Sequence, residues 1–430
     1  MLSYLANFIF YHTPIFYLIQ SVWRDEAFSY FMAKPNVLRV ITNTAHDFNP
    51  PLYYVLLNFW MKFVGQSDEG LRMLSFLAHI ACVYIAFYFA SKLFSKKFAF
   101  FVAAFTFFNP MLLYYAFEMR MYSFYALFTF ASVYCFYIKN WKWYTISTVL
   151  GLYTHSFFPF IPVSFLIYLK LTGSLTRKII YSTLKPFLFY LFWLPILVIQ
   201  FFNSKDSWLF PVDFQLVKSV LGNIFTSYEG TPGELWPLTA LLSGIIIFYC
   251  AIVLKRRKKL ALYLLTPIIF PLFVILGYSI LMRPLFVNRY MIFIVVFEIL
   301  AISAGIFYIH KRTTRWLSML FWLVLVVILN IIIPPYRKKT DFKTTFAEIN
   351  AITTPNDFVY AKTPIGFFES AYYYKYTDKT FIYNPNNVTI PNYIGVTVVF
   401  PEISRASFPT PPSRTFLVND DASYEMIVNN

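Results

Sequence analysis

PLYYVLLNFWMKFVG, residues 51–65, is apolar enough to pass for a membrane span. The topology of the whole chain turns on whether it is one. Acids and prolines surround it: Asp47, Pro50 and Pro51 before it, Asp68 and Glu69 after it. Downstream, basic clusters recur between apolar runs at Lys92/Lys96/Lys97, Lys139/Lys142, Lys170/Arg177/Lys178, KRRKK (255–259) and Lys311/Arg312/Arg315. None of those five connections holds an Asp or Glu, and lysine and arginine enrichment marks cytoplasmic loops. If residues 51–65 crossed the bilayer, every one of those clusters would flip outward. The segment is therefore expected to be an amphipathic helix lying at the interface on the outer side.

The rest of the chain is consistent with that topology. It is 59% hydrophobic and 13% charged, with 12 glycines in 430 residues. Repeated apolar runs imply a polytopic α-helical membrane protein rather than a soluble domain. Spans are expected near residues 4–20, 71–93, 98–115, 120–138, 143–155, 156–171, 179–202, 235–254, 260–281, 286–309 and 316–333, about eleven in all. The pair at 143–171 has Lys142 and Lys170 at its two ends, so it must turn back near Thr154-His155-Ser156. An odd count puts the N-terminus inside and the C-terminus outside. The outward loops are then 21–70, 203–234 and everything beyond about residue 336.

Net charge of +16 is accounted for by the cytoplasmic loops and calls for no nucleic acid. The 52 Phe and 34 Tyr are read as lipid-facing bulk and interfacial belts, not stacking sites. Cys82, Cys135 and Cys250 all fall in expected spans, so no disulfide framework is implied. The first apolar run lacks a basic leader and a small-residue cleavage site, and is expected to be retained as a span.

Two domains are expected, a transmembrane part over 1–335 that includes the outward loop 21–70, and an extracytoplasmic α/β domain over 336–430. In the tail, DFKTTFAEINAI and FFESAYYYKY read as helices, and DFVYAK and YIGVTVVF as strands.

Candidate chemistry collects in the outward loops. Asp25 and Glu26 stand side by side where the first span ends, between Trp23 and Phe28. The same loop carries AHDFNPPLYY, where paired prolines restrict the backbone after Asp47. Two acidic positions in one outward loop can supply a general base and a charge or metal anchor. YYAFEMRMYSF (114–124) brings Glu118, Arg120 and Tyr122 into an apolar run, and a structural Glu–Arg pair is the plain alternative there. Arg283 and Arg289 bracket a short outward connection. Arginine offers planar donors suited to phosphate, although interfacial anchoring explains it nearly as well. Arg72 has the same two readings, and His155 is either a hydrogen-bonded structural histidine or a ligand. Glu298 lies in the middle of a span and requires a partner. No phosphate-cradling glycine loop, CxxC, HExxH or G-x-S-x-G occurs.

WRDEAFS, then D-x-N-P-P-L-Y-Y with L-R-x-L-S, then E-x-R-x-Y, Y-T-H-S and N-R-Y occur in this order. The ordered set resembles the GT-C glycosyltransferases, and within them the group related to protein O-mannosyltransferases and lipid A aminoarabinose transferases. The likeness runs over essentially the whole chain.

It implies a membrane enzyme that moves a hexose or pentose from a polyprenyl-phosphate donor to a hydroxyl on a lipid, glycan or protein, with inversion. Asp25 maps onto the family's general base, and Glu26 would support it or orient the acceptor. Asp47 matches a second acidic position that binds substrate or a divalent metal. Arg72, Arg120 and Arg289 match basic positions facing the leaving phosphate. Glu118, Tyr122, His155 and Tyr290 share those motifs as substrate-binding candidates. No second outward histidine is present late in the chain to complete a zinc site, so no cofactor is certain, and a divalent metal with Asp47 as its ligand is the one candidate. The rival class is a transporter or lipid flippase, but such folds favour glycine-interrupted spans and internal repeats, and neither is visible here.

Overall fold

The computed structural model describes residues 2–203, 209 and 211–428, so positions 204–208 and 210 of the outward loop 203–234 lie outside the described residues. The chain divides into two compact units. The first comprises Met1–Ile15, Arg72–Ile199 and Leu209–Tyr336; the second comprises Phe16–Leu71, Gln200–Trp208 and Arg337–Asn430.

In the first unit a helix covers each expected apolar run, but not as a straight span. Five helices are long and apolar enough to cross a membrane: Asp68–Leu93, Gly233–Arg256, Lys258–Leu281, Asn288–Phe307 and Arg312–Ile332. Two further spans are broken, Lys96–Phe107 with Pro110–Ala116 bent by 60° and Arg177–Tyr190 with Leu194–Phe202 bent by 73°. The protein is thus an integral membrane protein, and by length and composition five to seven of its about eleven expected spans are full-length helices or bent pairs.

The physical reason is local. Pro110 starts a new helix because its missing N–H is not needed at a first turn, and Asn109 caps that helix through Leu112 N. The expected 4–20 span breaks into Leu2–Tyr11 and Ile15–Ile19 around Pro14. Trp141–Leu152 and Phe160–Leu171 are only 12 residues each, with the turn at Thr154-His155 between them.

Helix Ile292–Phe307 is the centre of this unit. Its apolar window is 89% buried, against 22–50% for the other long helices. Helices Trp236–Arg256, Lys258–Leu281 and Tyr122–Tyr137 pack around it. Close approach elsewhere depends on Gly222, where a Cβ would run into the Thr239 carbonyl oxygen. Glu298 is fully buried on the central helix, and neither of its carboxyl oxygens has a hydrogen-bond partner among the described residues.

The second unit joins the first loop to the C-terminal segment. The loop contains helices Arg24–Ala33, Val37–Ala45 and Leu52–Val64, the last over the opening stretch. The C-terminal part is a five-stranded sheet of β1 (Phe358–Ala361), β2 (Thr380–Tyr383), β3 (Ser404–Arg405), β4 (Thr415–Val418) and β5 (Tyr424–Ile427), in the order β3-β2-β1-β4-β5. β1, β2, β3 and β4 run parallel and β5 is antiparallel to β4. Helices Phe342–Ile352 and Phe367–Tyr373 fall where the sequence expects them, as does β1.

YIGVTVVF is not a strand. It forms the short helical pieces Asn392–Ile394 and Val396–Val399. Between them Gly395 takes φ +78°, and a Cβ there would meet the Phe28 ring at 2.8 Å.

Asp357, just before β1, ties this sheet together. It accepts from Arg414 Nη2 at 2.6 Å and from Arg414 Nε, Arg414 N and Thr354 N. Burial raises its carboxyl, but the bonds from Arg414 and Thr354 outweigh burial and hold it well below the usual carboxylate range. Stabilisation of this sign is present above the unfolded value near 4 and is lost as pH falls through the folded value. Asp357→Asn is expected to cost on the order of 2 kcal/mol at pH 7, less than a fully buried pair because Arg414 keeps 30% of its side chain exposed. Thermal midpoints of both proteins between pH 3 and 7 should converge in acid. Parallel curves would remove Asp357 from the acid response.

Candidate active site

In the second unit, Asp25 and Glu26 occupy the first turn of helix Arg24–Ala33, where unpaired N–H groups favour negative charge. The two acids diverge at once. Asp25 keeps 16% of its side chain exposed, with Arg24 Nε 3.7 Å from its Oδ1. Glu26 is fully buried, accepts from Trp23 N, and pairs with Lys339 Nζ at 2.9 Å.

Around this turn the C-terminal segment is stitched to the loop. Ser21 Oγ donates to Asp341 at 2.9 Å, and Lys339 N donates to Gln20 Oε1 at 2.9 Å. Tyr373 accepts from Val22 N at 2.7 Å and donates to Asp68 at 2.8 Å; Tyr372 donates to the other Asp68 oxygen at 2.9 Å. Lys343 Nζ lies 3.2 Å from both Asp68 and Glu69. Asp47 is also buried in this unit, following helix Val37–Ala45, and Asn49 Nδ2 donates to it at 3.4 Å. Gln200 fixes the end of that helix by donating to the Thr44 carbonyl. Among the described residues no group of three or more His, Cys, Asp or Glu could hold a metal ion.

The other candidates belong to the first unit, where they gather around the N-terminal end of the central helix. Arg72 is fully buried on helix Asp68–Leu93, and one turn on, Ser75 Oγ donates to the Arg120 carbonyl at 3.1 Å. Glu118 and Arg120 lie in the break before helix Tyr122–Tyr137, and Arg120 Cζ is 5.8 Å from the centre of the Tyr122 ring. His155 stacks on Tyr125 at 4.4 Å and meets Tyr290 edge-on at 5.3 Å. Phe157 N donates to His155 Nδ1 at 3.1 Å, which leaves the proton on Nε2, an atom without a partner among the described residues. Arg289 sits in the turn Asn288–Met291, held by the Asn288 side-chain amide donating to the Tyr228 carbonyl.

The sequence reading missed three contributors. Glu229, from the loop 203–234, lies 3.7 Å from Arg289. Tyr115 is within electrostatic reach of Glu229, Glu118, Arg289 and Tyr122. Lys339 completes the buried pair with Glu26. The basic KK step at 338–339 was the only available signal for Lys339; Tyr115 lies inside the stretch YYAFEMRMYSF but was not singled out there, and Glu229 carried no signal.

Chemically, one unit offers a partly exposed carboxylate beside an arginine. The other offers three buried arginine positions among tyrosines and carboxylates.

No family model matches the sequence, and no curated protein matches it. Solved structures do. ArnT from Cupriavidus metallidurans in the apo state matches with TM-score 0.63 at 10% identity, over 97% of this chain and 91% of that one. The same protein bound to undecaprenyl phosphate matches with TM-score 0.59 at 11% identity, over 97% and 93%. An Archaeoglobus fulgidus oligosaccharyltransferase in complex with Zn and sulfate gives TM-score 0.49 at 14% identity, over 84% and 58%. The two ArnT matches extend over nearly the whole length of both chains, and they give this protein the GT-C fold that its ordered motifs resemble.

Proposed function

We propose that this protein is an inverting glycosyltransferase that moves a sugar from a polyprenyl-phosphate donor to a hydroxyl acceptor on the outer face of the membrane. The observation that carries the reading is Asp25: a carboxylate in a helix first turn, beside Arg24 and still open to solvent, in a fold whose ArnT counterpart binds undecaprenyl phosphate. Asp25 takes the proton of the acceptor hydroxyl as its oxygen bonds to the anomeric carbon. The bond from that carbon to the phosphate oxygen breaks, and the lipid phosphate leaves with the electron pair. One base and no covalent nucleophile suffice for inversion.

Arg72, Arg120 and Arg289 neutralise the phosphate as it leaves, a form of stabilisation worth most where water is excluded. Glu118, Tyr122, His155 and Tyr290 line the donor site, and Asp47 helps bind substrate. In this reading the C-terminal domain is extracytoplasmic and the N-terminus cytoplasmic. Purified protein in lipid vesicles, given a panel of radiolabelled polyprenyl-phosphate hexoses and pentoses, should release free polyprenyl phosphate. Tight donor binding with movement across the bilayer and no release would replace the enzyme with a flippase.

A further inference from the structure

The helices packed on the C-terminal sheet lie on one face of it. Phe342, Phe346 and Ile349 of helix Phe342–Ile352, with Tyr374 at the end of helix Phe367–Tyr373, pack on Val359, Phe416 and Val418. Side chains alternate along a strand, so Phe358, Tyr360, Phe381 and Tyr383 stand on the opposite face. Parallel strands ordinarily belong to sheets covered on both faces, and they read as apolar on both. These strands are apolar on both, but their helices lie on one.

Three stacks stand over the second face. Lys379 Nζ is 5.3 Å from the centre of the Phe358 ring, Arg405 Cζ is 4.8 Å from that of Phe381, and the Phe408 ring lies nearly parallel to Tyr383 at 4.4 Å. Tyr360 joins them, edge-on to Phe408 at 5.2 Å and 5.7 Å from Phe381. Arg405 is in register with Tyr383, so its charge and the Phe408 ring are neighbours. Arg405 is exposed, and Lys379, Phe358, Phe381, Tyr383 and Phe408 are half-buried.

Among the described residues neither cation has an acidic partner. Lys379 Nζ donates to the Pro355 carbonyl, and Arg405 Nη1 donates to the Ser404 carbonyl at 3.2 Å. The acid on this face, Glu425, pairs in register with Leu417 on β5, at the far edge of the sheet from Arg405 on β3. A cation held over a ring is already ordered, so it gives up little freedom when an anion arrives. Two such cations fit carboxylate or phosphate groups. The Phe408 ring beside them fits the flat C–H face of a sugar, whose slightly positive hydrogens suit the negative face of the ring. The rings lie flat and half-buried, which suits a ligand laid across them rather than a wedge pushed into lipid. A second copy of the same face would set cation against cation.

We propose that this face of the C-terminal sheet docks a saccharide that carries carboxylate or phosphate groups. In the glycosyltransferase reading, on which this last step rests, the docked saccharide is part of the acceptor. The acceptor class then narrows from any hydroxyl compound to an acidic glycan.

The test is binding, with no donor present, by the full-length protein in phosphatidylcholine nanodiscs. The probes are fluorescent oligomers of galacturonic acid and phosphorylated mannose oligomers, set against neutral galactose oligomers and polyglutamate. At least one acidic saccharide should bind more tightly than both comparators, and less tightly as salt is raised. Arg405→Gln should weaken that binding roughly 10-fold, the scale of one charge-assisted hydrogen bond. Phe408→Leu, which keeps an apolar contact with Tyr383, should weaken it roughly 5-fold. Glu425→Gln should not weaken it, and all three variants should keep the parent's thermal midpoint.

A folded parent that binds neither acidic probe overturns the proposal, as does binding that Arg405→Gln leaves unchanged. Polyglutamate bound as tightly as the saccharides would reduce the face to a patch of charge. Loss of binding when phosphatidylglycerol replaces phosphatidylcholine would give the face to lipid headgroups instead. With a polyprenyl-phosphate sugar added, Arg405→Gln should raise the KM for the acidic acceptor and leave kcat unchanged. Binding without any transfer supports the dock and counts against the glycosyltransferase reading, so the two can fail separately.

Discussion

Asp25→Asn is expected to lower sugar transfer by roughly 10²- to 10⁴-fold, the range a positioned general base contributes. The substitution keeps the shape of the side chain and removes only its ability to take a proton. Little else should change. Asn is tolerated at a helix start, and losing one first-turn charge costs about 0.3–1 kcal/mol. The neighbouring Glu26 cannot stand in, because it is fully buried and tied to Lys339. Transfer should be measured in lipid vesicles with the thermal midpoint recorded alongside. Equal turnover by a folded variant would remove Asp25 as the base and move attention to Asp47 or Glu118.

Lys339→Met should destabilise the second unit by about 3–5 kcal/mol, the usual cost of stranding one charge of a buried pair. Lys339 and Glu26 side chains are 6% and 0% exposed, and their atoms are 2.9 Å apart. Lys339 also stands 5.7 Å from the centre of the Trp23 ring, so the same side chain touches the residue that precedes helix Arg24–Ala33. Glu26→Leu alone should cost a similar amount. The double variant should recover most of the loss, since two apolar side chains leave nothing charged behind. Simple addition of the two single losses would mean that the pair is not coupled. Activity is expected to fall in both single variants through displacement of the first turn, and to return in part in the double.

How far the sequence could be read depended on whether a feature was local. The acid pair after the first apolar run, the helix over 51–65 and helix Phe342–Ile352 each carry their own signal in a short window. Spans were countable as apolar runs but not as crossings, because the bends at Asn109–Pro110 and after Tyr190 depend on backbone geometry that hydropathy does not encode. YIGVTVVF has the composition of a strand, but Gly395 in it takes a left-handed turn beside Phe28, where a side chain would clash, and the segment folds as short helical pieces instead. Glu369 looked like an ordinary acid on a helix, and it is buried because that helix packs against Arg24–Ala33 from the other end of the chain. Glu229 gains meaning only beside Arg289.

The union of loop and C-terminal segment also sets an order of events during synthesis. Glu26 and Lys339 are separated by 313 residues. At ordinary elongation rates the first loop therefore waits roughly 15 to 60 seconds for its partner. Through that interval Glu26 lacks Lys339, Asp68 lacks Tyr372 and Tyr373, and the apolar face around Phe28 and Phe31 lacks the rings of Phe368 and Phe400 that later cover it. A ribosome-bound chain of this length is thus a membrane protein with an unfinished second unit. Clipping the C-terminal segment would return the mature protein to that nascent condition, so truncations made to find a minimal catalytic core should yield unstable protein.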